Sequence, residues 1–275
     1  MLDTGAIRFL GDMKLTIFTS LKLADGQADL IQQKALENWR HVFPGAKIVT
    51  YVGALIPFGE MLRGVEKESD AEKIMYANGD ILFADGANDV IRSIPTAQDF
   101  LLTGQRIDIL QSGIKRLHWP SGMDYFVFRR GMFKDMPKVW MGRSYCDSAI
   151  VTYCLRNKIC VIDASFALRV EHQFHDYGHV AGGRNQVWQG HEAMENRHGS
   201  ALRDFAPHCI DATKTLLKDG SIVPNIRSSV LRKLELSLYY RCGFKLCPHF
   251  NMFWNILTRG GKYAKNPRWD GVLDI

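Results

Sequence analysis

KIMYANGD, residues 73–80, is the stretch on which the fold turns. Lys73 to Tyr76 reads as a short strand that runs directly into Asn78-Gly79-Asp80. Residues two apart on an extended segment project to one side, so two oxygen-bearing side chains are expected to converge at the strand's end. Such a pair suits a hard divalent cation bridging phosphate oxygens, and Gly79 lets the backbone turn close to a ligand. An ordinary turn is the competing reading, since Asn-Gly is also a favoured hairpin dipeptide.

Outward from this point, strands alternate with helices. KLTIFT (14–19) mixes β-branched and aromatic residues and predicts the first strand. A helix follows from about Ala28 to Val42, with Ile31, Ala35, Trp39 and Val42 as its apolar stripe, and Pro44-Gly45 ends it. KIVTYV (47–52) is a second strand, and Pro57 opens a helix that reaches about Glu68. Beyond the central stretch, residues 86–94 read as a helix capped by Asp85. Phe100 to Ile107 and Tyr125 to Arg129 read as strands, Ser144 to Arg156 as a helix. Ile159 to Asp163 is a strand and Phe166 to Glu171 an extended segment. The order predicts an α/β domain over residues 13–206, with a mostly parallel sheet flanked by helices. In such sheets ligands bind beyond the carboxyl ends of the strands, so polar residues there are the ones to examine.

Composition bounds the rest. The chain has 275 residues, 46% hydrophobic and 23% charged, which excludes collagen-like and disordered classes. No run approaches the ~20 apolar residues of a membrane-spanning helix, and the N-terminus lacks a signal-peptide pattern. A cytoplasmic location with six reduced cysteines is expected. Residues 207–275 carry eleven Lys and Arg against five Asp and Glu, so the net charge of +6 resides there. They read as a basic helical accessory region, and residues 1–12 as a disordered or extended N-terminus. Leu231, Leu234 and Leu238 follow helical spacing flanked by basic residues. Residues 226–275 therefore suit an anionic membrane surface, or else pack on the main domain. No nucleic-acid motif accompanies the charge.

Several residues are candidates for chemistry. His172, His175, Asp176 and His179 fall within eight residues, a density that points to metal coordination or phosphate contact, zinc included. Asp147, near a helix start, suits deprotonation of an attacking hydroxyl, against the plainer reading of an i,i+4 pair with Arg143. Asp124 precedes a strand, and Arg106 and Asp108 close one, so each is placed at a sheet end. Trp119 beside Pro120 is a possible sugar-stacking platform, whereas Trp39, Trp140, Phe126 and Phe128 read as core.

With these residues in order, the chain resembles GT-A-fold glycosyltransferase domains, which depend on nucleotide sugars. The resemblance is carried by LTIFTSLK (15–22), IQQKALENW (31–39), YANGDILFADG (76–86) and FLLTGQRIDI (100–109). It continues through SGMDYFVFRRGMFKDMP (121–137), GRSYCDSAIV (142–151) and VIDASFALRVEHQFHDYGHVAGGRN (161–185). It implies a metal-dependent enzyme that moves a hexosyl or pentosyl group from a nucleoside diphosphate sugar to a glycan or lipid-linked acceptor, with inversion. Thr19 and Lys22 resemble the base- and phosphate-side lip of the nucleotide pocket. Asn78 and Asp80 occupy the place of the acidic metal motif, with Asp80 as ligand to Mn²⁺ or Mg²⁺ and Asn78 standing where Asp is commoner. Asp124 resembles a contact to the transferred sugar, Asp147 the base, and His172 or His175 the late His of the metal and diphosphate site. Cys146 stands where the family more often has Trp. A non-catalytic glycan- or partner-binding module and a zinc-centred hydrolase built on the 172–179 cluster are the competing classes. The hydrolase lacks an H-E-x-x-H arrangement.

Overall fold

The computed structural model describes residues 14–23, 26–53, 55–118, 120–175, 183–200 and 206–225. In chain order the elements are β1 (Leu15–Leu21), α1 (Gln27–Val42), β2 (Lys47–Val52), α2 (Phe58–Glu68), β3 (Lys73–Ala77), β4 (Ile81–Phe83) and α3 (Ala87–Ser93). There follow β5 (Phe100–Thr103), β6 (Ile107–Ile109), β7 (Lys115–Leu117), β8 (Tyr125–Arg129), α4 (Cys146–Arg156), β9 (Cys160–Asp163) and β10 (Val170–His172). The last are α5 (Gly183–Gln189), α6 (His191–Ser200), β11 (Lys214–Leu216) and β12 (Ile222–Pro224).

Eight strands form one sheet in the order β12-β11-β9-β5-β8-β3-β1-β2. Six run one way, and β8 and β12 run against them. Alternation along the strands buries both faces. Phe18, Ile74, Tyr76, Leu101, Phe126 and Phe128 meet α2 and α4 on one side. Their neighbours Ile17, Met75, Leu102, Tyr125 and Val127 meet α1 and α3 on the other. The α/β class with a mostly parallel, helix-flanked sheet is thus the observed architecture. Lys73 enters this core as a fully buried cation, its Nζ donating to the carbonyls of Ile91 at 2.7 Å and Arg92 at 2.9 Å. It thereby caps the negative end of α3, and burial lowers its pKa to about 8.

A smaller, four-stranded sheet has the order β4-β10-β6-β7. Helix α1 holds it: Trp39 donates its indole N–H to the Ile81 carbonyl at 3.0 Å, and Asn38 pairs with both backbone groups of Phe83.

Local expectations are corrected at several points. The single strand over 100–107 is two, because the chain leaves the large sheet at Gly104, which packs against Ser165, Ala164 and the Tyr125 hydroxyl, and enters the small sheet at Ile107. Gly86, with φ 83°, rather than Asp85, precedes α3. The buried stripe of α1 begins at Gln32, not Ile31, and Trp140 is half-buried, its indole N–H bonded to Glu195. Helical character over 207–275 does not hold for 214–224, where β11 and β12 extend the large sheet. Residues 1–12 and 226–275, together with Trp119, Asp176 and His179, lie outside the described residues. Among the described residues no helix is long and apolar enough to cross a membrane, and Cys146, Cys154, Cys160 and Cys209 are free thiols.

Candidate active site

The candidate residues gather where the carboxyl ends of the parallel strands meet the small sheet. Lys22 follows β1, Asn78 and Asp80 follow β3, and Arg106 follows β5. Asp124 precedes the antiparallel β8 and so reaches the same edge. His172 ends β10, where register places it beside both Ile81 of β4 and Asp108 of β6. Three distant stretches are therefore brought together by strands only three residues long.

One corner centres on Asp80. Its Oδ2 lies 2.9 Å from His175 Nε2 and 3.6 Å from His172 Nε2. One ligand atom from each of the three residues falls within 4.8 Å of the others, a grouping able to hold a metal ion. The second carboxylate oxygen, Oδ1, is buried without a hydrogen-bond partner. Burial opposes charge on Asp80, but His172, His175 and Lys22 outweigh it and hold the carboxyl well below the usual range. For His172 burial prevails and lowers its pKa, against the pull of Asp80. Gln173 fixes the Asp80 backbone, its N–H donating to the Asp80 carbonyl at 3.0 Å and its side chain tying that strand end to the Ile31 carbonyl of α1 at 3.0 Å.

Lys22 borders this corner. Its backbone is clamped by Gln32 of α1, which accepts from Lys22 N at 2.7 Å and donates to Lys22 O at 3.2 Å. Burial lowers the Lys22 pKa; Asp80 works to raise it and Arg143 to lower it further. The two cations thus repel one another across the site. Arg143 has its Nε buried without a hydrogen-bond partner, and among the described residues it forms no ion pair with Asp147. The i,i+4 pairing is replaced because α4 begins only at Cys146, so Arg143 lies in the preceding loop.

The second corner is a chain of charges. Asn78 Nδ2 donates to Asp124 Oδ1 at 2.9 Å, and Arg106 binds Asp124 Oδ2 at 2.6 Å and Asp108 Oδ1 at 2.9 Å. His118 Nδ1 meets Asp108 Oδ2 at 2.6 Å. Burial works against the charge on Asp108, yet His118 and Arg106 bring its pKa down to about 2. A Cβ at Gly122 would collide with the His118 ring, so glycine is what lets this network close. Asp147 completes the corner: burial and the nearby Asp124 push its pKa up to about 8, against the Cys146 thiol, which donates to its Oδ1 at 3.2 Å, and against Arg106.

Two expectations change here. Asn78 and Asp80 do not converge on one point: the turn at Gly79 sends the amide to Asp124 and the carboxylate to the histidines. Thr19 is fully buried, with its Oγ1 unpartnered, so the open lip is formed by Lys22. Gln32, His118 and Gln173 escaped the sequence reading, and Arg143 entered it only as a pairing partner for Asp147.

No family model matches the chain, and neither does any curated protein. Solved structures of similar build include a protein assigned as a nucleotide-diphospho-sugar transferase from Desulfovibrio desulfuricans, 10% identical, covering 68% of this chain and 96% of that one with a TM-score of 0.36. Another is assigned as a glucose-1-phosphate thymidylyltransferase from Bacillus anthracis, in complex with sucrose, at 10% identity, 71% and 98% coverage and a TM-score of 0.32. A third is the galactosyltransferase LgtC with donor and acceptor sugar analogues, at 10% identity, 70% and 97% coverage and a TM-score of 0.30. At these values they are likenesses of general build, and the functional reading rests on the site itself.

Proposed function

We propose that the chain is a GT-A-type glycosyltransferase that uses a divalent cation to move a sugar from a nucleoside diphosphate to a hydroxyl acceptor with inversion. The observation that carries this reading is the convergence of Asp80, His172 and His175, with the cation Lys22 close enough to act on Asp80. The donor set suits a cation: one carboxylate and two imidazoles come together, and Asp80 Oδ1 is a buried oxygen without a partner. Two nitrogen ligands favour Mn²⁺ over Mg²⁺, which prefers an all-oxygen shell. When bound, the cation would neutralise negative charge on the departing diphosphate.

The protein's own groups supply the rest. Lys22 and Arg143 give a diphosphate two positive charges in a partly desolvated setting, where such charges act more strongly than in water. Asn78, Arg106 and Asp124 form a rigid polar wall for the transferred sugar. Asp147 takes the proton of the acceptor hydroxyl as that oxygen attacks the anomeric carbon. The bond from carbon to phosphate oxygen breaks, and its electron pair leaves with the diphosphate. A carboxyl with a pKa near 8 is a stronger base than an ordinary aspartate, and a smaller fraction of it is ionised at neutral pH. Docking of residues 226–275 on an anionic membrane surface, bringing the enzyme to a lipid-linked acceptor at the cytoplasmic face, belongs to the same proposal. Its check is loss of anionic-vesicle binding on their deletion.

The decisive measurement is thermal stabilisation by nucleoside diphosphates with and without Mn²⁺. Stabilisation is expected only when both are present; an equal effect in chelator would overturn the metal-bridged diphosphate.

A further inference from the structure

The loop that leads into Asp147 carries the more unusual backbone of the cleft. Tyr145, immediately before α4, sits at φ 67°, ψ 1°, the left-handed region that bulky residues rarely occupy. Strain of this kind persists where the surroundings enforce it. They do so here. Ser144 N–H donates to the Val187 carbonyl of α5 at 3.0 Å. Asn196 of α6, fully buried, donates to the carbonyls of Trp140 at 2.9 Å and Ser144 at 3.2 Å and accepts from Trp140 N–H at 2.8 Å.

This clamp ties the backbone next to Tyr145 to the backbone next to Trp188, and both rings are open to the outside. Tyr145 is 37% exposed, and Trp188, the residue after Val187, is 48% exposed. The Arg197 guanidinium lies 5.7 Å from the Tyr145 ring centroid and that of Arg184 5.8 Å from the Trp188 centroid. Neither arginine has a carboxylate partner among the described residues, and both are exposed. Aromatic faces stack against the C–H faces of pyranose rings, while an arginine fork matches a carboxylate or phosphate.

We infer that Tyr145 and Trp188, with Arg184 and Arg197, form the acceptor subsite, and that it takes a saccharide ring bearing an anionic group. The inference rests on the transferase reading, since it is proximity to Asp147, two residues beyond Tyr145, that makes a bound saccharide an acceptor. The strained backbone then has a use: it fixes the ring two residues before the base.

The test follows the indole N–H resonance of Trp188 in the full-length chain, identified by its loss in Trp188→Phe, during titration with glucuronate, glucose 6-phosphate and glucose. At least one anionic sugar is expected to shift that resonance with about tenfold or greater preference over glucose. The carboxylate and phosphate arms decide which anion is taken. Tyr145→Gly, which relieves the backbone and so keeps the fold, and Arg197→Gln are each expected to weaken binding about fivefold or more. Equal response to glucose, no response to any of the three, or undiminished binding in both variants overturns the subsite. The two readings fail separately. Nucleotide and Mn²⁺ stabilisation without sugar binding at Trp188 removes the subsite alone. Sugar binding there without any turnover of nucleotide sugars removes the transferase.

Discussion

Two enclosed carboxylates of the candidate site are driven in opposite directions. Asp80 sits between two imidazoles and near Lys22, and it stays ionised far below ordinary acid pH. Asp147, equally enclosed but facing another carboxylate, Asp124, is lifted to about 8. Burial acts on both in the same sense; the neighbours decide the outcome. Such a split suits the proposed division of labour, an anion kept at one corner and a proton acceptor at the other.

The contrast breaks most completely at Asp80. Asp80→Asn removes the charge that His172 and His175 surround, and turnover is expected to fall about a thousandfold with loss of Mn²⁺-dependent nucleotide binding. Retained metal dependence in a titration would count against the corner as drawn. At Asp147 the two properties should separate. Asp147→Asn is expected to lower turnover by about a hundredfold or more while nucleotide affinity persists. With Asp147 as the proposed base, turnover of the native protein should rise with pH to an inflection near 8. A rate profile flat from pH 6 to 9 would assign the proton elsewhere.

A smaller change sharpens the comparison. The Asn78 amide donates to Asp124 Oδ1, so Asn78→Asp replaces a donor by a like charge. The pH–rate inflection is then expected to move to higher pH by about one unit, with turnover near neutrality down about tenfold. The smallest effect is on stability. Because the native pKa of Asp147 lies above its ordinary value of 3.8, the folded state holds this proton more tightly than the unfolded one. The resulting stabilisation is whole below pH 3.8 and is lost as pH climbs through about 8. Asp147→Asn should therefore melt roughly 5 °C above the native protein at pH 9, the gap closing toward pH 5 in a calorimetric series.

Much of the large sheet was legible because its strands carry β-branched and aromatic runs and its helices a clear stripe, as with Ala35, Trp39 and Val42. The Asn78–Asp80 turn and the His172–His175 pair were visible as residue types at strand ends. The small sheet was not, since a strand of three residues such as Ile107–Ile109 is too short to have a period. Nor were Gln32 and Gln173, whose value lies in which backbone groups they reach. Residues 214–224 misled for a different reason: β11 joins the large sheet by pairing with β9, about fifty residues earlier in the chain, and local pattern carries no trace of that partner.

Strand β10 has a consequence for motion. It pairs with β4 on one flank and with β6 on the other, so the chain segments bearing Asp80 and Arg106 are coupled through it. Loosening of the cleft is thus expected as one cooperative event, with amide protons of β4 and β6 exchanging in step and neither half able to relax while its opposite stays formed.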